Sequence, residues 1–132
     1  MADLHAVTPA IRTKVEEALE PEFRPWGWYA VLAEPDDEPI VAVKILQVDP
    51  GQMLSLQTHR LRRERWMPIT SGLGAVIGDR EIELLVGHTY EIQTGVPHRL
   101  FDMKGSGGSV VETMYGTYDE DDIIRLSDEY GR

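Results

Sequence analysis

The 132-residue sequence contains no cysteine, which excludes thiol catalysis, disulfides and thiolate metal ligands. Any metal site must therefore use nitrogen and oxygen ligands. Cationic residues are also scarce, with 13 lysines and arginines against 23 aspartates and glutamates and a net charge of −10. Nucleic acids and anionic membranes both attract cationic surfaces. We therefore expect neither as a partner, although an acidic protein can still hold a small cationic pocket.

Long apolar segments are missing as well. No run approaches the ~18 residues that a membrane span requires, and the N-terminus lacks the basic and then apolar segment of a secretory signal. We therefore expect a cytoplasmic protein. The length suits one domain, and the hydrophobic fraction of 42% is that of an ordinary globular protein.

Helical periodicity is confined to the start of the chain. Thr8 and Pro9 suit the N-cap and first turn of a helix, and apolar residues then recur on one face at helical intervals. Pro21 ends this pattern. The sequence predicts a flexible tail over residues 1–8 and a single domain over 9–132, with one short N-terminal helix packed outside its main body.

The remainder of the sequence predicts β-strands. Short runs that alternate or are rich in β-branched residues are separated by glycine, proline and aspartate, which favour turns. About nine such strands at spacings of ~8 to 12 residues are typical of an all-β sandwich or barrel. The short acidic cluster at 119–122 is interpreted as a solvated turn. The predicted strands are 28–33, 40–48, 53–57, 64–70, 74–77, 81–86, 88–92, 99–103 and 109–115.

Four residues with metal-binding side chains lie near the ends of predicted strands. Gln57 and His59 share one face of a strand, and Glu64 opens the next strand after a turn that can bring its carboxylate beside His59. His98 follows a turn at 95–97. Alone, His59 would be a structural histidine and Glu64 a surface charge. Together, one amide oxygen, two imidazoles and one carboxylate predict a site for a divalent ion such as Zn²⁺, Mn²⁺ or Fe²⁺.

This spacing resembles the two sequence motifs of the cupins, with Gln57 in place of the usual first histidine. A closer resemblance, from Arg24 to Arg132, is to type II mannose-6-phosphate isomerase. It is closest to the cupin domain that often ends the bifunctional isomerase and mannose-1-phosphate guanylyltransferase proteins. The matching elements include RPWG at 24–27, SLQ at 55–57, HRL at 98–100, DIIR at 122–125 and the closing YGR.

The resemblance implies a cupin double-stranded β-helix, that is, a jelly-roll barrel. It implies a metal-dependent isomerase that converts mannose 6-phosphate to fructose 6-phosphate in polysaccharide precursor synthesis. One divalent ion is expected as cofactor, zinc first, with manganese, iron, cobalt or nickel as alternatives. We also expect a homodimer, since cupins of this size usually pair sheets and exposed strand edges need cover.

Departures from the family pattern leave a second function open. Arg65 stands where the family usually has histidine, Gln93-Thr94 replaces a usual proline, and Pro68 interrupts a predicted strand. These changes favour a non-catalytic metal-binding cupin that binds a sugar or regulates a partner. A third alternative is an Fe²⁺ oxygenase, but Gln57 and the isomerase resemblance count against it.

An isomerase of this kind needs a Lewis acid, a base that works near neutral pH and cations that bind phosphate. Glu112 is the candidate base, because it interrupts an apolar run and a carboxyl group facing a barrel interior has a raised pKa. The alternative is a glutamate on the solvent face of an edge strand. Lys44, Arg62 and Arg125 are the candidates for binding the phosphate of a sugar phosphate. Solvent-facing positions are the alternative for Lys44 and Arg62.

Overall fold

A computed structural model describes residues 20–35, 39–119 and 121–131. The predicted tail and the predicted N-terminal helix lie outside these residues. The strands are β1 (Glu22–Arg24), β2 (Gly27–Ala33), β3 (Ile40–Val48), β4 (Leu56–Thr58), β5 (Arg62–Pro68), β6 (Leu73–Ile77), β7 (Arg80–Glu83), β8 (Tyr90–Ile92), β9 (His98–Asp102), β10 (Gly108–Gly116) and β11 (Ile124–Ser127).

The strands form two antiparallel sheets. The six-stranded sheet has the order β1-β2-β3-β10-β5-β8, and the five-stranded sheet has the order β11-β4-β9-β6-β7. This all-β arrangement confirms the predicted fold class. Among the described residues, no helix has the length and apolar content needed to cross a membrane.

All nine predicted strands have counterparts, of which β3 has the predicted ends and the others have shifted ends, and two further strands among the described residues were not predicted. The predicted strand at 53–57 is reduced to β4 and an isolated bridge between Met53 and Phe101. The unpredicted β1 and β11 are short and exposed along their whole length. They lack the alternation of buried and exposed residues by which half-buried strands are recognised in a sequence.

The core lies between the two sheets. Leu46, Trp66 and Val110 from the six-stranded sheet join one cluster with Leu73 and Leu100 from the five-stranded sheet. Strand β3 shows how one strand contributes side chains to this core. Its residues from Ala42 onwards alternate between buried and partly exposed positions. Burial of these side chains away from water supplies the main stabilisation, at about 1.5–3 kcal/mol for each large apolar side chain.

The same alternation brings polar side chains into the barrel. Glu112 of β10 lies directly opposite Lys44 of β3 on one side and Trp66 of β5 on the other. Neighbours in register point to the same face of a sheet, so all three side chains face inwards, and all three are buried. The core therefore contains a lysine and a glutamate, a combination that favours a functional site over simple packing.

Candidate metal centre and active site

Three of the predicted metal ligands form one buried cluster. Glu64 lies on β5 of the six-stranded sheet, His98 begins β9 of the five-stranded sheet, and His59 follows β4. The Oε1 atom of Glu64 lies 2.9 Å from Nε2 of His98 and 3.5 Å from Nε2 of His59. One ligand atom from each of the three residues falls within 4.8 Å of the others.

Main-chain carbonyl groups orient both imidazole rings. Nδ1 of His59 is 2.6 Å from the carbonyl oxygen of Asp122, and Nδ1 of His98 is 2.9 Å from that of Val96. A carbonyl oxygen can only accept, so both Nδ1 atoms must carry the proton. In the neutral rings, both Nε2 lone pairs then face Glu64. Histidines that bind metals are held by the same kind of hydrogen bond.

The electrostatics of the cluster fit a bound cation. Burial alone would raise the pKa of Glu64, but His98, Arg62 and His59 outweigh it and hold that pKa at about 2. Burial lowers the pKa of His59, which keeps its ring neutral. Burial alone would lower the pKa of His98, but the negative charge of Glu64 outweighs it and raises that pKa. An ionised carboxylate thus lies among two imidazole nitrogens, and Oε1 of Glu64 and Nε2 of His98 are buried without a well-formed hydrogen bond. The cluster can therefore hold a metal ion through nitrogen and oxygen ligands.

Gln57, the fourth predicted ligand, lies in the wall of the same pocket. It pairs in register with His98 across β4 and β9, and its Oε1 accepts a hydrogen bond of 3.3 Å from the Ser55 hydroxyl. Its amide oxygen is thus beside the cluster, and its role as a ligand stays a prediction.

Glu112, the predicted base, is buried on the central strand β10 and not on an edge strand. Its Oε2 accepts a hydrogen bond of 3.0 Å from Nε1–H of Trp66. Burial, and then the negative charge of Glu64, raise the pKa of Glu112 to about 8. The carboxyl group is therefore suited to gain and lose a proton near neutral pH. Catalysis by Glu112 stays a prediction.

The three predicted phosphate-binding residues line the same pocket. Lys44 and Arg62 are buried, whereas Arg125 lies exposed on β11. Nζ of Lys44 donates a hydrogen bond of 2.7 Å to the Tyr118 hydroxyl. Arg62 approaches the metal cluster, with Nη2 at 3.3 Å from Nε2 of His59 and Nε at 3.4 Å from Oε2 of Glu64. Positive charge is therefore concentrated beside the candidate metal centre.

Sequence reasoning missed several residues at this site. Arg24 and Tyr29 line the pocket, and Tyr118 lies near its mouth beside Lys44 and Arg62. Asp122 holds the ring of His59, although its acidic cluster was interpreted as a solvated turn. The only sequence signal for Arg24 and Asp122 was their place in the RPWG and DIIR elements, respectively, that match the family. Nothing in the sequence singles out Tyr118.

A barrel of two antiparallel sheets with a buried cluster of two histidines and a glutamate defines a cupin-type domain. Residues 12–128 match the family model described as "Mannose-6-phosphate isomerase C-terminal". The chain belongs to this mannose-6-phosphate isomerase C-terminal family, which confirms the resemblance seen in the sequence.

Curated relatives of the chain are much longer proteins. The xanthan biosynthesis protein XanB of Xanthomonas campestris pv. campestris is 40% identical over 113 residues, which cover 83% of this chain and 23% of XanB. The alginate biosynthesis protein AlgA of Pseudomonas syringae pv. tomato is 38% identical over 124 residues, which cover 92% of this chain and 24% of AlgA. The chain thus spans about a quarter of the length of these relatives.

Solved structures support the fold alone. Oxalate decarboxylase of Bacillus subtilis aligns with a TM-score of 0.70 at 17% identity, covering 81% of this chain and 30% of that chain. At such low identity, the likeness does not extend to the reaction.

Proposed function

We propose that this domain is a metal-dependent isomerase that interconverts mannose 6-phosphate and fructose 6-phosphate in the cytoplasm, as a step towards polysaccharide precursors. The observation that carries the proposal is the buried carboxyl group of Glu112, which faces the pocket that contains the His59, Glu64 and His98 cluster. Membership of the family supports the reaction type. The names of XanB and AlgA, which refer to xanthan and alginate biosynthesis, support the role in polysaccharide synthesis.

Glu112 would move the proton. Aldose–ketose isomerisation transfers a proton between C2 and C1 of the sugar through an enediol, so one group must both accept and return it. A carboxyl group with a pKa of about 8 exchanges its proton in either direction near neutral pH. The Trp66 N–H fixes one carboxyl oxygen, which leaves the other available to face the substrate.

The remaining residues would hold the metal and the substrate. Gln57, His59, Glu64 and His98 would bind one divalent ion, which supplies a Lewis acid for negative charge on the substrate oxygens. Zinc is the ion we expect, with manganese, iron, cobalt or nickel as alternatives. Lys44, Arg62 and Arg125 would bind the phosphate group, since a chain with a net charge of −10 would otherwise repel a dianion.

The altered family positions lie outside the pocket, which favours the isomerase over a non-catalytic binding domain. Arg65 is partly exposed and forms an ion pair with Glu91. Gln93 is exposed, and neither residue is part of the pocket lining. The substitutions that suggested a lost activity, at Arg65, Pro68 and Gln93, are therefore not in the wall of the pocket that Glu112 faces.

The test is an isomerase assay with the protein loaded separately with each candidate ion. We expect Glu112→Gln to reduce turnover by about 100-fold or more, the usual contribution of a general acid or base. Metal content should be unchanged, because Gln keeps the shape of the side chain. Glu91→Gln on the outer surface is the matched control and should retain wild-type turnover.

Binding measurements separate the two functions. Lys44→Met should raise the Michaelis constant by about 10-fold or more through loss of a charge-assisted contact to phosphate. Binding of hexose phosphates without turnover by the wild type would support the non-catalytic domain. Neither binding nor turnover with any hexose phosphate would refute the sugar-phosphate assignment.

A further inference from the structure

The C-terminal strap, here residues 117–119 and 121–131, lies along the pocket. Its strand β11 pairs with β4, so that Arg125 is opposite Gln57. At its far end, the hydroxyl of Tyr130 donates a hydrogen bond of 2.5 Å to Oε1 of Gln52. Tyr118 contacts Lys44 near the start of the strap. The strap is therefore fixed to the barrel on both sides of Asp122.

Asp122 connects the strap to the residues that follow His59. Its Oδ1 accepts a hydrogen bond of 2.9 Å from the backbone N–H of Arg60, and its Oδ2 accepts one of 2.8 Å from that of Leu61. Its own carbonyl oxygen accepts the Nδ1–H of His59 at 2.6 Å. The same residue thus holds both the ring and the adjoining backbone of one candidate metal ligand.

These three hydrogen bonds form a closed arrangement. Because the carboxylate fixes Asp122 against residues 60 and 61, the carbonyl oxygen is held at a set place relative to the ring of His59. His98 has a different support, since its Nδ1–H is bound by the carbonyl oxygen of Val96, two residues earlier on the same loop. The orientation of His59 depends on a distant segment of the chain, and that of His98 does not.

We infer that Asp122 is a positioning residue for the metal centre, because its carboxylate sets the carbonyl group that keeps His59 in the tautomer whose Nε2 binds the ion. The inference rests on the proposed metal-dependent function. It adds to the proposed site one residue of the C-terminal strap, Asp122. The carboxylate itself is not part of the ligand cluster, since its two oxygens accept hydrogen bonds from the backbone of residues 60 and 61.

The first test is metal affinity, measured by competition with a chelator. Asp122→Ala removes both acceptors, and we expect a loss of about 10–100-fold, as found when groups that orient metal ligands are removed. Asp122→Asn keeps one acceptor and should lose less. Asp121→Asn is the matched control, because Asp121 is the exposed neighbour in the same acidic cluster, and its affinity should equal that of the wild type.

The second test is the tautomer of each histidine in the metal-free protein, read from ¹⁵N NMR shifts of the imidazoles. In Asp122→Ala, His59 should lose its preference for the Nδ1–H form while His98 keeps it. If that variant does not fold, Asp122→Asn serves for both measurements. Wild-type affinity together with an unchanged His59 tautomer would overturn the inference, and so would an equal change in both histidines.

The two tests also separate this inference from the proposed function. A wild-type protein that binds no divalent ion would refute the metal centre, whereas the tautomer measurement would still decide whether Asp122 orients His59. If Asp122→Ala binds metal as tightly as the wild type and its His59 tautomer is unchanged, the metal centre stands and the role of Asp122 is refuted.

Discussion

Glu64 and Glu112 are both buried glutamates, and their pKa values move in opposite directions. Glu64 is flanked by two histidines and Arg62, which outweigh burial and lower its pKa to about 2. Glu112 has a neutral N–H partner in Trp66, so burial and the charge of Glu64 raise its pKa to about 8. Such a separation suits one carboxylate to permanent charge and the other to the proton transfer proposed for it.

The raised pKa of Glu112 predicts a specific pH dependence of stability in the metal-free protein. Between its ordinary pKa of 4.5 and about 8, the folded state holds a proton that the unfolded state releases. The contribution of Glu112 to the free energy of unfolding is therefore complete below pH 4.5 and is lost as the pH rises through 8. The loss should not exceed about 1.4 kcal/mol per pH unit.

Urea unfolding of the chelated protein, followed by tryptophan fluorescence, measures this effect. Glu112→Gln has no proton to release, so its free energy of unfolding should fall less over this pH range than that of the wild type. Parallel pH profiles for the two proteins would contradict the raised pKa.

The sequence predicted the candidate metal ligands better than their surroundings. His59, Glu64 and His98 were found because strand alternation and short turns determine which side chains share a face. The supporting contacts of Asp122 and Tyr118 depend on the path of the C-terminal strap, which no local pattern specifies. Lys44 and Glu112 were ambiguous in the sequence, since alternation alone does not say which face of a strand lies inside.

At the scale of strands, the sequence missed the two elements that are exposed along their whole length, β1 and β11. The nine predicted strands contribute the alternating or apolar runs that build the two sheets. By contrast, β1 and β11 are held by backbone pairing with β2 and β4, respectively. Backbone hydrogen bonds of this kind do not require any particular pattern of side chains, so the sequence does not reveal them.

The tight turn that begins β2 depends on Gly27. Its φ is +150°, and a Cβ atom there would lie 1.9 Å from the carbonyl oxygen of Gln47 on the neighbouring strand. We predict that Gly27→Ala lowers the free energy of unfolding by about 2–4 kcal/mol, combining overpacking with backbone strain. Gly51→Ala is the control, because Gly51 also has a positive φ of +77° but has no atom within 4 Å of its Cβ position.

Urea denaturation of the two variants distinguishes crowding from strain. Gly51→Ala should cost only about 1–2 kcal/mol, the penalty for placing a side chain in a left-handed conformation. Equal losses in both variants would show that the close approach of Gln47 contributes nothing.

For the molecule as a whole, the two sheets leave edges at β1 and β8 and at β11 and β7. Edges of this kind are usually covered, and small symmetric assemblies are a common way to cover them. We predict a homodimer at micromolar concentration. Multi-angle light scattering should give twice the chain mass of 14.9 kDa, and a monomer mass would contradict the prediction.

The candidate metal centre contains residues of both sheets, with Glu64 on the six-stranded sheet and His98 on the five-stranded sheet. A chain without cysteine would thereby gain a reversible cross-link, since an ion held by both residues closes the intervening loop and restricts the unfolded chain. Unfolding of the loaded protein in concentrated urea should consequently be slower than that of the chelated protein. A Glu64→Ala variant should unfold at one rate with or without the ion, because Glu64 is the one candidate ligand on the six-stranded sheet and its loss leaves the two sheets unlinked.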